Sequence, residues 1–137
     1  MTTIIATPDA LYTDSLCTYT VSFRVRKAVR IGDSLYGAAG DDLDSFIKVM
    51  EWLRGEEPRP KLPSDEMFDM IEVSQAGIFT WSRQLRRVKV RERYYAIGSG
   101  AQYAIGAMDT GATPEKALKV AAKRDGATGL PIFKLVL

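Results

Sequence analysis

The chain has 137 residues, of which 46% are hydrophobic and 26% are charged, and its formal net charge is only +2. This length and apolar content suffice for one compact core, so we expect a single domain over residues 1–137 without a linker. The absence of histidine excludes Ser-His-Asp catalysis, Cys-His catalysis and histidine-rich zinc sites. Neither a metal nor a cofactor is expected.

The sequence has neither of two features that are typical of exported proteins, a secretory signal and a pair of cysteines for a disulfide bond. The N-terminus lacks the charged leader and apolar run of a secretory signal, and no apolar stretch of about 18 residues occurs. Cys17 is the only cysteine and cannot form an intramolecular disulfide. We therefore expect a soluble, cytoplasmic protein with no membrane partner.

The first third of the chain has the pattern of strands followed by a helix. Short runs rich in β-branched residues, broken by turn residues, predict strands from Thr2 to Ala39. The clearest hairpin joins residues 29–31 to residues 35–39 through Gly32-Asp33. Residues 41–54 then carry apolar side chains at helical spacing behind an acidic start, which predicts a helix.

Strands and two further helices are predicted in the rest of the chain. Gly55 and three prolines within 58–63 predict an extended connection, and a second hairpin follows over 67–73 and 78–81. Short strands are expected around 88–90 and 94–97, a helix over 100–108, and another that starts at Thr113-Pro114 and ends before Gly126. With a last strand at 132–137, this order predicts an α+β fold of helices on antiparallel sheets.

Thr2 is the candidate nucleophile. A threonine hydroxyl needs an adjacent base, and a threonine at the start of a chain carries one in its own α-amine, whose ordinary pKa is about 8. Thr2 gains that amine only when Met1 is removed, which a small second residue permits. On position alone, the more frequent interpretation is that Thr2 simply begins a strand.

Six short segments occur in an order that resembles HslV and the proteasome β-subunits, and short phage-encoded and bacterial relatives are similar. The most specific segment is Ala96-Ile97-Gly98-Ser99-Gly100, which Gln102-Tyr103-Ala104 follows. The other five are Thr2-Thr3-Ile4-Ile5-Ala6, Tyr12-Thr13-Asp14-Ser15, Arg26-Lys27, Ala38-Ala39-Gly40 and Arg124-Asp125-Gly126-Ala127-Thr128-Gly129. The likeness runs over nearly the whole chain. It implies an Ntn-hydrolase αββα sandwich of antiparallel sheets flanked by helices, with one helical layer shortened at the proline-rich stretch.

The resemblance also implies roles for seven residues. Thr2 would be the nucleophile, Lys27 a cation beside it, and Asp14 the carboxylate that pairs with Lys27. Gly40 would offer its backbone N–H to an oxyanion. The hydroxyl and carboxyl groups near the nucleophile's amine would be Ser99, Asp125 and Thr128, the last standing where the family usually has serine.

Each of these residues has an ordinary interpretation as well. Asp14 suits a turn, and Lys27 suits the solvated face of a strand that carries several arginines. Gly40 suits a strand-to-helix turn, and Ser99 suits a helix N-cap. The residue pattern alone leaves both interpretations open.

The basic stretch over residues 83–93 is the one feature that points to another class of function. Its six cations, which are Arg83, Arg86, Arg87, Lys89, Arg91 and Arg93, could follow the phosphates of a nucleic acid. Alternation with Val88 and Val90 equally fits an edge strand whose cations discourage pairing with other chains. Since no aromatic residue is interleaved for base stacking, we do not expect a nucleic-acid partner.

The resemblance implies an N-terminal-threonine peptidase that hydrolyses peptides or unfolded proteins through an acyl-enzyme. It also implies a homo-oligomer of one ring or stacked rings, with a possible ATP-dependent unfoldase as partner. The alternative is a catalytically inactive relative that acts in binding or assembly.

Overall fold

The computed structural model describes residues 2–18 and 20–137. The elements in chain order are β1 (Thr3–Thr7), β2 (Ala10–Thr13), β3 (Leu16–Cys17), β4 (Phe23–Arg24), β5 (Ala28–Ile31), β6 (Ser34–Gly40), α1 (Leu43–Leu53), β7 (Phe68–Ser74), β8 (Gly77–Trp81), β9 (Arg87–Lys89), β10 (Tyr95–Gly98), α2 (Ala101–Asp109), α3 (Pro114–Arg124) and β11 (Phe133–Val136).

Two antiparallel sheets form the centre of the molecule. The first has the strand order β10-β1-β2-β11 and the second has the order β5-β6-β7-β8-β9, while β3 and β4 form a separate two-stranded ribbon. Strand β1 is an inner strand, because Ile5 lies opposite Ala96 of β10 on one side and opposite Tyr12 of β2 on the other. The start of the chain is thereby held between two neighbouring strands.

The side chains of β1 alternate between the two faces of the first sheet and so contribute to two layers of the core. Successive side chains of a strand point to opposite faces, so Ile4 and Ala6 enter the core between the two sheets while Ile5 packs under the helices. Helices α2 and α3 cover the outer face of the first sheet through Ala104, Leu118 and their neighbours. Helix α1 covers the outer face of the second sheet. The result is the α+β, αββα sandwich that the sequence predicts.

The predicted helix over residues 41–54 is confirmed, with its start set by Asp42. The side chain of Asp42 accepts a hydrogen bond from the backbone N of Asp44 at 2.9 Å, so the helix begins at Leu43. Thr113 caps α3 in the same way, and Pro114 occupies its first turn, as predicted. Helix α2 differs, because its N-cap is Gly100 and has no side-chain cap. Interpreting Ser99 as a helix cap is therefore wrong.

A polar network covers the part of the second sheet that α1 leaves uncovered. Glu72 of β7 is 3% exposed, and its carboxylate accepts hydrogen bonds from Trp81 Nε1 and from both Nε and NH2 of Arg87. The Arg87 guanidinium also lies over the Phe79 ring, 3.5 Å from its centroid. Within the described residues, the proline-rich connection forms no helix here. The predicted shortening of this helical layer is confirmed.

The basic stretch supplies the outermost strand of the second sheet. Strand β9 pairs only with β8 in the part of the chain that the structure describes, which is the edge position that the alternating cations predict. One cation of the basic stretch, Arg87, forms an ion pair with Glu72. Across the described ranges, none of the helices has the length and apolar character needed to cross a bilayer.

Candidate active site

Thr2 lines a cleft and lies directly before β1. The residue is 4% exposed, and its backbone N lies 3.3 Å from Ser99 Oγ. Gly98 permits this position: its φ is +98°, and a Cβ there would lie 1.9 Å from the Thr2 carbonyl oxygen. A side chain at residue 98 would therefore displace the candidate nucleophile.

The Ser99 hydroxyl next to the Thr2 nitrogen belongs to a hydrogen-bonded group with Asp125 and Thr128. Ser99 Oγ donates to Asp125 Oδ2 at 2.5 Å, and Thr128 Oγ1 donates to the same oxygen at 2.6 Å. The backbone N of Ala127 donates to the other oxygen, Oδ1, at 3.2 Å. The structure thus brings together Ser99, Asp125 and Thr128. The extra methyl of Thr128, relative to serine, does not prevent its hydroxyl from reaching Asp125.

These hydrogen bonds hold Asp125 in its ionised form. Burial by itself raises the pKa of Asp125, but the bonds from Ser99, Thr128 and the Ala127 N–H outweigh it and leave the pKa below the ordinary value. Because the folded pKa is the lower one, the stability contributed by Asp125 is present above the unfolded pKa of about 3.9 and is lost as pH falls through the folded pKa.

Asp125→Asn tests this pH dependence. We expect the wild type to exceed the variant in free energy of unfolding by a constant margin above about pH 5, and the margin to shrink below about pH 4 as the wild-type carboxyl protonates. Urea denaturation from pH 3 to pH 8 measures the difference. A margin that grows toward low pH would show that the Asp125 pKa is raised instead.

Lys27 and Asp14 form a buried ion pair, and Lys27 lines the same cleft as Thr2. Lys27 Nζ lies 2.9 Å from Asp14 Oδ1 and 3.1 Å from Oδ2, and the Lys27 side chain is 7% exposed. Burial lowers the pKa of Lys27, while the Asp14 carboxylate opposes that shift. Asp14 is fixed by the backbone N–H groups of Thr3 and Gly129, at 3.0 and 2.9 Å. The interpretations of Asp14 as a free turn residue and Lys27 as a solvated cation are both wrong.

A cleft of about 410 Å³ joins Thr2 to Lys27 and Gly40, which all line it. Gly40 ends β6, and a Cβ on it would lie 2.7 Å from the Met67 carbonyl oxygen, so the close approach of these two backbones requires glycine. The other walls come from the ribbon region, the end of β6 and α1, and are mostly apolar: Leu16, Val25, Ala38, Ala39, Leu43, Phe46, Ile47 and Phe68. The cleft is therefore mostly apolar, and Thr2 and Lys27 line it together with three further charged residues, Arg26, Asp41 and Asp42.

The structure thus connects Thr2 with the other six residues singled out in the sequence. Lys27 and Gly40 line the same cleft as Thr2, Asp14 pairs with Lys27, and the Thr2 nitrogen contacts Ser99, which is hydrogen-bonded through Asp125 to Thr128. Met1, whose removal the chemistry requires, lies outside the described residues.

Three residues that the sequence analysis did not assign to the site also build it. They are Gly98, Gly129, whose N–H holds Asp14, and Thr3, which contacts both Asp14 and Thr128. Gly98 and Gly129 stand inside two of the segments that carry the family resemblance, and that position is the sequence signal that could have found them. Thr3 carries no separate signal, since a threonine in a strand is common.

Among known proteins, similarity is found to solved structures but not to family models or curated sequences. No family model and no curated protein matches the sequence. Among solved structures, BPH of Thiobacillus denitrificans superposes with a TM-score of 0.76 at 20% identity, covering 99% of this chain and 96% of BPH. BPH in complex with epoxomicin gives 0.69 at 22% identity, covering 99% and 97%. Eukaryotic HslV from Trypanosoma brucei gives 0.69 at 19% identity, covering 99% and 98%.

The chain has the proteasome-like Ntn-hydrolase fold. The resemblance stated from the sequence is thereby confirmed at the level of fold, and both BPH and HslV are matched over nearly their full lengths. In this fold the candidate nucleophile precedes an inner strand, and its nitrogen contacts a serine hydroxyl that donates to the Asp125 carboxylate.

Proposed function

We propose that this chain, once Met1 is removed, is an N-terminal-threonine peptidase. The observation that carries the proposal is the position of the Thr2 nitrogen, 3.3 Å from a serine hydroxyl that is itself hydrogen-bonded to Asp125. While Met1 is attached, that nitrogen is an amide and cannot act as a base. After Met1 is removed it is an amine, already placed among groups that can receive and return a proton.

In the proposed first step, the neutral α-amine takes the proton of the Thr2 hydroxyl, directly or through one water, and the oxygen attacks a peptide carbonyl. The carbonyl electrons move to its oxygen, and a tetrahedral intermediate forms. Collapse of the intermediate breaks the C–N bond, and the protonated α-amine returns its proton to the leaving amine. A water activated by the same α-amine then hydrolyses the ester that remains on Thr2.

Lys27 has an electrostatic role in this proposal. Its ammonium lines the same cleft as Thr2 and is little exposed to water, so its charge stabilises a developing negative charge on the Thr2 oxygen more strongly than a surface lysine would. Asp14 keeps that ammonium charged and fixed. Lys27 is a stabilising cation here, and the α-amine is the base.

Gly40 is the proposed source of the oxyanion donor. It lies at the end of β6, in the wall of the cleft, and a glycine leaves its backbone accessible to substrate. A backbone N–H that is fixed before the reaction stabilises a tetrahedral oxyanion without the cost of reorienting solvent.

We also propose the setting in which this peptidase acts. The substrates are peptides or unfolded proteins in the cytoplasm, which is the host cytoplasm if the gene is phage-borne. The chain forms a homo-oligomeric ring or stacked rings, with an ATP-dependent unfoldase as a possible partner. Enclosure of the sites in such an assembly would protect folded proteins of the cell from cleavage.

Blocking and then freeing the amine of Thr2 tests the proposal. The chain is made behind a cleavable leader domain, so that cleavage leaves Thr2 as the first residue, and turnover of fluorogenic peptides is measured before and after cleavage. We expect turnover only after cleavage, because the leader keeps the nitrogen an amide. Epoxomicin, which BPH holds in one similar structure, is expected to inhibit the cleaved form.

Two results would contradict the proposal. Equal turnover with and without the leader would show that the amine is not the base. No turnover after cleavage, by a chain that is folded and oligomeric, would favour the inactive binding or assembly protein. Intact mass spectrometry of the chain from its native host determines whether Met1 is removed in the cell.

A further inference from the structure

Thr3 has a fully buried hydroxyl that contacts the hydrogen-bonded group of Thr128 and Asp125. Its Oγ1 lies 2.7 Å from Thr128 Oγ1, and the residue is 0% exposed. The space for this hydroxyl exists because residue 100 is glycine, since a Cβ there would lie 2.1 Å from Thr3 Oγ1. A buried hydroxyl in such a confined space has a fixed set of partners.

The direction of the hydrogen bonds follows from the number of protons. Thr128 has one hydroxyl proton, which it donates to Asp125 Oδ2 at 2.6 Å. In the bond between the two threonines, the proton must therefore come from Thr3. Ser99 donates its single proton to the same Asp125 oxygen, so its own oxygen is left to accept from the Thr2 nitrogen. The bonds run from Thr3 through Thr128 to Asp125, and from Thr2 through Ser99 to Asp125.

Two consecutive residues are thus tied to one carboxylate by separate routes. Thr3 is also tied to the second carboxylate of the site, because its backbone N donates to Asp14 Oδ1 at 3.0 Å. Thr3 therefore connects the Asp125 group with the Lys27–Asp14 pair, and a second connection runs through Thr128 and the N–H of the adjacent Gly129.

We propose that Thr3 is a positioning residue of the reaction. By donating to Thr128 it commits the Thr128 proton to Asp125, which keeps the Asp125 carboxylate aligned and leaves the Ser99 oxygen as the acceptor for the α-amine. Thr3 touches neither substrate nor the reacting oxygen. This inference rests on the proposed peptidase function, because it concerns the orientation of that function's base.

Thr3→Val is the test, since valine keeps the branched shape and removes only the hydroxyl. In the leader-cleaved chain we expect kcat to fall about fivefold to tenfold, the effect of one buried hydrogen bond that acts in the transition state, with KM changed less than about twofold. Thr3→Ser keeps the donor and is expected to restore at least half of the wild-type kcat. The pH profile of kcat is also expected to shift in Thr3→Val and not in Thr3→Ser.

The matched control is Thr13→Val on the adjacent strand β2. Thr13 is also 0% exposed, and within the described residues its hydroxyl has no hydrogen-bond partner. We expect its kcat to equal that of the wild type. Thr128→Val interrupts the same chain of hydrogen bonds and replaces Thr3→Val as the test if Thr3→Val does not fold. The double variant Thr3→Val with Thr128→Val is expected to lose no more kcat than Thr128→Val alone.

The outcomes separate the two proposals. If the cleaved wild type has no turnover, the peptidase function and the role of Thr3 both fail. If the wild type is active and Thr3→Val matches Thr13→Val in kcat and in pH profile, only the role of Thr3 fails. A loss in Thr3→Val that Thr3→Ser does not restore also overturns it, since the donor would not be the cause.

Discussion

Thr2→Ala is expected to reduce peptide turnover by at least about 10³-fold, because removal of the nucleophile from a covalent hydrolase leaves only binding and oxyanion stabilisation. The substitution deletes a hydroxyl at the cleft and keeps the α-amine, so the charge near Asp125 is unchanged. The backbone of Thr2 makes the contact with Ser99, and alanine retains it. The measurement is the initial rate with a fluorogenic peptide after leader cleavage.

Thr2→Ser is the matched control for that variant. Serine keeps the hydroxyl and loses only a methyl group, so we expect turnover well above that of Thr2→Ala. Both variants should elute at the wild-type oligomeric size. Peptide cleavage by Thr2→Ala at the wild-type rate would place the nucleophile elsewhere, and the cleft residues would then need other roles.

Lys27→Met is the second change with a large expected effect. It leaves the Asp14 carboxylate buried and without its cation, and breaking one partner of a buried pair costs about 3–5 kcal/mol of unfolding free energy. The loss of positive charge beside Thr2 should in addition lower kcat by about 10²-fold to 10³-fold. Urea denaturation and peptide turnover measure the two effects separately.

A double variant separates stability from chemistry at this pair. Asp14→Asn removes the uncompensated charge and keeps an acceptor oxygen for the Thr3 N–H, although its NH2 group cannot accept from the Gly129 N–H, so Lys27→Met with Asp14→Asn should regain only part of the lost stability. Its turnover should remain as low as that of Lys27→Met alone. Recovery of turnover together with stability would mean that Lys27 acts only through the fold.

Lys48→Met is the control for the loss of a lysine in an ion pair. Lys48 pairs with Asp44 at 2.9 Å on the surface of α1, where both side chains are more than half exposed. Such pairs contribute little, since solvent screens them, and we expect no measurable change in stability or turnover.

The elements that the sequence predicts well are those fixed by local chemistry. Helix α3 has its cap at Thr113 and its proline in the first turn, and the hairpin of β5 and β6 turns at Gly32-Asp33, so each is specified within about 15 residues. The alternation in the basic stretch likewise predicts the edge position of β9.

The site was harder to predict, because its contacts join distant parts of the chain. Nothing near Asp14 indicates that its partner is Lys27 instead of solvent, since the ion pair forms only when β2 and β5 lie in different, facing sheets. Ser99 has a residue type that suits a cap, but its hydroxyl instead reaches Asp125 across 26 positions of sequence. Only the family resemblance, which carries the order of all these segments, brought these residues together before the structure did.

The burial of Glu72 under Arg87 was also not predictable, because it too depends on contacts between separate strands. Its sequence context is an ordinary strand, and its network with Trp81 exists because no second helix covers that part of the sheet. The Arg87 guanidinium, paired with Glu72 and stacked on Phe79, covers this part of the sheet in place of the apolar side chains of a helix.

The inner position of β1 couples activity to the integrity of the whole molecule. Chain ends usually fray first, and a functional group placed there would lose its geometry long before the core does. Here β1, which directly follows Thr2, is hydrogen-bonded to β10 and to β2, so it cannot loosen unless the first sheet opens. If the chain is the proposed peptidase, it has no partly unfolded state in which the core is intact and the site is disordered, and gentle heating should leave it either fully active or fully unfolded.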